Sequence, residues 1–407
     1  MQERIGNSSS YNQGNDTMTS RERFLKVFNG ELPDRAPVTL FIVDGGHFIS
    51  QMYPDIDPMD FETIQLKVIE FQKQIGCDVF ARILYYVDDF LNITHGGADV
   101  SQNTENWEVH TEDIWNDNTL IKRSTIRTPD GTLTQDFSIN EIRPGTFMCA
   151  CTKHPVKTEA DLDMLIKYEP SMPAWLPEQI KSRVTVLKDA VGEDGILGGW
   201  TPGAPFNMAS LLLDLGELYQ LFIIDPPFYE KLITFSLERV TPYVRAIDAA
   251  GIDVHCVGGN VPGGFLGSAH YERSILPYEK QYIDIVQENG TPGMYHNCGE
   301  IMNLVESYKG LGVRVVEPFS PPPLGDADLA KAKKLVDGAY VMLGGIDQVN
   351  ILQMGTIDET RRITEETMKI GKPGGKFLLQ TADFLEYGTP IENVEAFVET
   401  GIEHAWY

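Results

Sequence analysis

Basic residues are scarce in this chain: 33 Lys and Arg stand against 59 Asp and Glu, a formal balance of −26. No basic cluster interrupts that acidic background, which argues against nucleic acid or an anionic membrane as partner. Long apolar runs are missing too. Stretches such as Leu40 to Val43 fall far short of the roughly 20 residues that span a bilayer. No basic segment followed by an apolar stretch stands at either end, so no secretory signal is expected. Cysteine is sparse and unpaired in its spacing: Cys77, Cys149, Cys151, Cys256 and Cys298. That pattern excludes a disulfide framework and predicts a reducing, cytoplasmic setting. Cys149-Ala150-Cys151 is too tight for a zinc knuckle and reads as ordinary strand or loop.

What is present is material for a large core, with 42% hydrophobic residues in 407. Residues 1–19, rich in Ser, Asn, Gln and Gly, lack apolar periodicity and are expected to be disordered. Ser20 is expected to cap a helix running to Phe28. Eight short apolar runs follow: Pro37–Val43, Asp78–Leu84, Ile196–Trp200, Ile252–Val257, Gly293–Cys298, Val313–Phe319, Ala339–Leu343 and Lys376–Gln380. Their continuous apolar character suits strands buried on both faces. Helical patterns such as Asp326–Val336, with Asp328 as N-cap, and Pro390–Ala405 lie between or after them. Strand and helix alternating eight times predict an α/β protein, a (β/α)8 TIM barrel forming a single domain over 20–407.

One region, about 94–168, departs from that alternation. Ile121–Arg127 and Leu133–Ile139 flank Thr128-Pro129-Asp130-Gly131-Thr132, in which proline presets φ and glycine supplies φ > 0. A β-hairpin inserted after the second strand is expected there.

Four segments carry a family resemblance: Arg35-Ala36-Pro37-Val38, Gly203-Ala204-Pro205-Phe206, Gly344-Gly345-Ile346-Asp347, and Gly388-Thr389-Pro390-Ile391-Glu392-Asn393-Val394. In order and spacing they resemble the uroporphyrinogen decarboxylase superfamily, whose members are (β/α)8 barrels. The superfamily holds decarboxylases and corrinoid-dependent methyltransferases. The decarboxylase pattern is poorly kept. No arginine stands between Phe41 and Gln51, Tyr85 and Leu211 fall near its aspartate and tyrosine positions, and Asp383 replaces its histidine. A substrate with many carboxylates needs cationic anchors.

The methyltransferase branch is the better match. Its members hold zinc through a His-x-Cys pair at a strand end, and Tyr295-His296-Asn297-Cys298-Gly299 resembles that motif. Residues i and i+2 of a strand share a face, so imidazole and thiolate can converge on one ion. Asp383 stands where thiol-methylating members carry a third cysteine. Asp383 and Glu317 are therefore the expected oxygen ligands, a harder set than three soft donors. His255-Cys256 is a weaker pair, because adjacent strand residues face opposite ways. Asp253-Val254-His255-Cys256-Val257-Gly258 matches a cobalamin-binding pattern but lies on a strand, so any corrinoid is expected on a partner protein.

The resulting expectation is a zinc-dependent methyltransferase that demethylates a small methylated compound, an aromatic methyl ether, and passes the methyl group to Co(I) of a corrinoid protein. Phe41, Tyr86, Trp200, Phe206 and Phe319 are the expected substrate-binding residues, and His47 and Tyr85 the expected proton or hydrogen-bond donors. A homodimer is compatible. Three other readings stay open: a methylcobalamin:thiol methyltransferase, a decarboxylase for another substrate, and a non-catalytic docking subunit.

Overall fold

The computed structural model describes residues 17–42, 48–57, 60–83, 97–143, 146–261 and 263–407. His47, Tyr85 and Tyr86 lie outside these described residues. Strands are numbered in chain order: β1 Val79–Ile83, β2 Glu108–Asn116, β3 Thr119–Thr128, β4 Gly131–Arg143, β5 Thr146–Lys153, β6 Gly195–Trp200, β7 Val254–Gly258, β8 Gly293–His296, β9 Val315–Glu317, β10 Val341–Ile346 and β11 Phe377–Thr381. Seven of them form one parallel sheet in the order β1-β6-β7-β8-β9-β10-β11. Its members come from distant parts of the chain in sequential order, each separated by helical crossovers, as right-handed βα units require.

The sheet buries two different faces. Phe80, Ile196, Val254, Cys256, Met294, Val315, Val341, Leu343 and Leu378 alternate along their strands to fill one side. Val79, Ala81 and Leu197 point the other way, against Ile180, Val184 and Leu187 of the helix Leu176–Val191. The helix Ser20–Phe28 plugs the first side, contributing Phe24, Val27 and Phe28. Its cap is Thr19 rather than Ser20: Thr19 Oγ1 accepts from Glu22 N and Glu22 accepts from Thr19 N, a reciprocal capping box. Ser20 instead donates its hydroxyl to Asp78 Oδ1 at 2.7 Å. Asp78 also receives Arg23 Nη1 at 2.7 Å and Arg35 Nη1 at 2.6 Å. Arg23 reaches Asp34 as well, at 2.8 Å.

Pro37–Val43 differs from the expected strand. Over its described residues, Pro37 to Ile42, it makes one parallel bridge, Val38 with Leu379. Thr39 N donates to Leu379 O, and Leu379 N to Pro37 O, while on the other side Asp78 N donates to Val38 O. Regular pairing stops because Phe41 N turns to the Thr381 hydroxyl, and proline has no N–H to offer at the start.

The region after β1 holds more than a hairpin. β2, β3, β4 and β5 form a four-stranded antiparallel sheet in sequence order, and the expected hairpin is its central pair. β2 carries few apolar residues and is mostly exposed, which hid it from hydrophobic patterning. Two residues, Pro129 and Asp130, join β3 to β4, and Gly131 has no positive φ. That glycine serves close packing instead: a Cβ there would meet Met164 Sδ at 3.0 Å. Buried Glu169 fastens this region to the helix Pro226–Ala249. It pairs with Arg239 at 2.7 Å and accepts from Asp99 N at 2.7 Å.

Among the described residues, no single helix is long and apolar enough to cross a membrane.

Candidate metal centre

The inward-facing positions become polar at the carboxyl ends of the strands. Above apolar Phe80, Met294, Val315 and Leu378 come Arg82, His296, Glu317 and Gln380, each two residues further along its strand. Period-two alternation places all four on the same side of the sheet. This end is also where chemistry sits in barrel enzymes.

The Tyr-His-Asn-Cys-Gly segment is shaped residue by residue. His296 ends β8, opposite Glu317 of β9 and Gly258 of β7. Asn297 anchors the turn: its Oδ1 accepts from Val261 N at 2.7 Å and its Nδ2 donates to Val261 O at 2.9 Å. Its own N–H donates to Glu317 O at 2.7 Å. Gly299 takes φ +85°, a conformation that favours glycine, and the chain turns away. Cys298 is left exposed at the rim while His296 is 8% exposed.

Asp383 arrives from the other end of the chain, in the loop after β11. Its N–H donates to Gln348 Oε1, and its Oδ1 accepts from Phe384 N at 2.8 Å. Ligand atoms of His296, Cys298 and Asp383 all lie within 4.8 Å of one another. Nitrogen, sulfur and oxygen donors so arranged suit zinc, with three protein ligands as in catalytic zinc sites.

Glu317 is not in that group. Its carboxylate is fully buried and takes a bidentate pair from Arg82, both contacts at 2.6 Å. Oε1 also sits 3.0 Å from His296 Nδ1, and Gln380 Nε2 approaches Oε2 at 3.4 Å. The geometry therefore puts Glu317 behind the imidazole, with His296 Nε2 as the nitrogen left for an ion.

Burial opposes charge on both partners, yet each is held ionised by the other's neighbourhood. Glu317 is held down at about 2 by the Arg82 guanidinium and the His296 hydrogen bond. Burial would lower His296, but hydrogen bonds and charge from Cys298 and Glu317 lift it to about 10. Burial raises Asp383, and the His296 charge pulls it back. A metal would replace the His296 proton, satisfying the same anions with an ion.

Aromatic rings wall the group. Phe41 meets His296 edge-on with centroids 6.0 Å apart, and Trp200 does so at 5.7 Å. Phe41 also packs on Phe384 at 6.4 Å. Phe206 and Phe319 are placed differently. Both are 1% exposed members of the hydrophobic core, and Phe206 stacks on Tyr219 at 5.5 Å.

Two polar residues of this layer, Arg82 and Gln380, escaped sequence reasoning. Arg82 was hidden inside the expected apolar strand, where a lone arginine was itself the only signal. Its guanidinium lies 3.8 Å over the Phe41 ring, and Gln380 accepts from it at 3.1 Å. The mouth thus has a cation, but one already committed to Glu317. The rival pair is accounted for structurally: His255 Nε2 faces Asp248 Oδ1 at 3.3 Å, and Cys256 is fully buried under the polar layer. Asp253, at the head of the cobalamin-like pattern, pairs with Arg21.

Comparison with known proteins agrees with this architecture. The sequence resembles a methylcobamide:CoM methyltransferase of Methanosarcina mazei, 23% identical over 248 residues, covering 61% of this chain and 69% of the relative. It also resembles a uroporphyrinogen decarboxylase of Prochlorococcus marinus, 25% identical over 290 residues, covering 69% of this chain and 77% of the relative. A solved methyltransferase from Methanosarcina mazei shares the fold with a TM-score of 0.68, covering 95% of this chain and 99% of that one at 17% identity. The uroporphyrinogen decarboxylase (URO-D) family model matches residues 141–404. On that match, the chain belongs to the uroporphyrinogen decarboxylase (URO-D) family.

Proposed function

We propose that this protein is a zinc-dependent methyltransferase acting between a small methylated compound and a corrinoid carried by a separate protein. The observation that carries the reading is the convergence of His296, Cys298 and Asp383 at the sheet's carboxyl edge. The methyltransferase names among its relatives point the same way. Uroporphyrinogen decarboxylation is disfavoured, because the Arg82 charge is cancelled by Glu317.

His296, Cys298 and Asp383 would hold the ion, and Glu317 would fix the imidazole by accepting from Nδ1. When bound, zinc supplies a Lewis acid that stabilises charge developing on the substrate's leaving or attacking heteroatom. Phe41 and Trp200 shape an apolar wall suited to an aromatic methyl ether and keep water from His296. Asp383 in place of a third thiolate leaves more positive charge on the ion, which favours expelling an alkoxide or phenolate. In the same reading Pro37–Phe41 closes the sheet as its eighth member, residues 20–407 form one barrel domain, and His47 and Tyr85 serve the leaving oxygen.

Methyl transfer to a small thiol is the second reading, favoured by relatives named as methylcobamide:CoM and methylated-thiol–coenzyme M methyltransferases. The two separate in one assay series. Metal content is measured first: one zinc per chain is expected, and Cys298→Ala should lose it. Full zinc in that variant would remove the proposed centre. Methoxylated aromatics are then offered with a reduced corrinoid protein, and small thiols with the methylated corrinoid, following corrinoid absorbance. Turnover only with thiols would replace the ether reading.

A further inference from the structure

The proposed centre leaves unexplained why so much of the polar layer is spent on Glu317. A carboxylate offers about four acceptor positions, and here four donors approach it. Arg82 Nη1 and His296 Nδ1 converge on Oε1, while Arg82 Nη2 and Gln380 Nε2 face Oε2. The arginine cannot readily swing aside. Its guanidinium is stacked 3.8 Å over Phe41 and 4.6 Å from the Phe80 ring centroid, and Gln380 Oε1 accepts from Nη2. A planar fork matched to a carboxylate is a device for orientation, which a point charge does not reproduce.

Charge arithmetic gives the arrangement a purpose. A divalent ion on Cys298 thiolate and Asp383 carboxylate is neutral overall, and the Arg82–Glu317 pair is neutral by itself. Without Arg82, Glu317 would be a buried anion next to a cation and its histidine ligand. Such a carboxylate gains most by binding the ion directly.

We infer that Arg82 is a positioning residue: by occupying both oxygens of Glu317 it keeps that carboxylate on His296 Nδ1 and off the metal, preserving a coordination place for substrate. The inference rests on the metal centre proposed above and deepens it. Arg82 touches neither ion nor substrate. It acts through Glu317.

The test reads coordination rather than turnover. Cobalt(II) is loaded into the full chain, and azide is titrated against the visible ligand-field bands, whose intensity follows coordination number. Wild type should take one cobalt and bind azide. Arg82→Gln should still take cobalt but bind azide about 10-fold more weakly or worse, because Glu317 holds the place azide needs. The double variant Arg82→Gln with Glu317→Gln should regain azide affinity once loaded, and Glu317→Gln alone should hold cobalt more weakly yet, when loaded, bind azide as wild type does. A purely structural role for Arg82 predicts no such rescue. Should Arg82→Gln fail to fold, Arg82→Lys keeps the charge without the fork and should show the same weakening. Unchanged azide affinity in the folded Arg82 variant, or a double variant as weak as the single, overturns the inference while leaving the metal centre intact. Wild type that takes no cobalt overturns the centre itself, and this inference with it.

Discussion

The sheet carries a buried charge cluster at each end, and the two are built to opposite purposes. At the amino end, Asp78 receives Ser20, Arg23 and Arg35 and the Val38 N–H, and Asp34 takes the rest of Arg23. The cluster is closed on itself and joins the plug helix to β1. At the carboxyl end, Arg82 and Glu317 are equally buried, but beyond His296 the donors of Cys298 and Asp383 converge toward the rim. Charges that finish their valences against one another make a clamp. Charges that orient a neighbour make a site. Cys298, exposed where every floor carboxylate is covered, marks the difference.

Breaking the floor should cost most. Asp78→Asn takes the anion away from Arg35 and leaves Arg23 to Asp34 alone among carboxylates, so a loss of about 3–5 kcal/mol in unfolding free energy is expected from denaturant titration. Zinc per folded chain should stay unchanged, and a loss of metal in that variant would show that the two clusters are coupled.

A third buried carboxylate sharpens the comparison, because no cation pairs with it among the described residues. Among the described residues Glu279 accepts from the Tyr295 and Tyr271 hydroxyls, at 2.6 and 3.0 Å. Burial lifts it to about 7 from its ordinary 4.5, against the pull of those two hydroxyls. Glu317, equally buried but beside Arg82, sits at about 2. For Glu279 the folded value lies above the unfolded one. Its contribution to stability is therefore full below about 4.5 and is lost as pH rises through about 7. Each unit corresponds to about 1.36 kcal/mol, so roughly 3 kcal/mol is at stake across that window. Glu279→Gln should remove this dependence, gaining on wild type in melting temperature between pH 5 and pH 8. A constant gap across that range would show the carboxylate to be compensated elsewhere.

The smallest effect concerns the plug alone. Thr19→Ala removes one half of the capping box and should cost about 1 kcal/mol. Melting temperature should fall with no change in cobalt or azide binding, which separates clamp from site at low cost to the fold.

How far these features were legible depended on how local they are. Asp328 as a helix cap was readable because cap and helix lie within three residues of each other. His296 and Cys298 stood out as a pair because they are two residues apart, but it was the resemblance that marked them as ligands, and in the structure β8 ends at His296 with Cys298 just beyond it. Asp383 required the resemblance, since nothing near it in the chain indicates that His296 is its neighbour. Arg82 and Glu317 are 235 residues apart, and no periodicity reveals a partner at that distance. Phe206 and Phe319 illustrate the converse. Both follow strand ends, but closeness to an end does not say whether a ring faces the mouth or the helical layer. Phe206 is the second residue of the helix Pro205–Leu212 and packs against Tyr219 of the next helix, Leu215–Ile224. Phe319 is pressed beside β10, where Gly344 at φ +124° leaves only 2.9 Å between a Cβ and Phe319 N.

The plug helix Ser20–Phe28 also has a history that the finished fold conceals. Its apolar residues bury against Leu378, and Arg21 pairs with Asp253, so its partners leave the ribosome far behind it. At roughly 5–20 residues per second, the interval between Phe28 and Leu378 is about 20–70 seconds. For that long Phe24, Val27 and Phe28 have no finished sheet to enter. A helix made early waits for a sheet that is finished late.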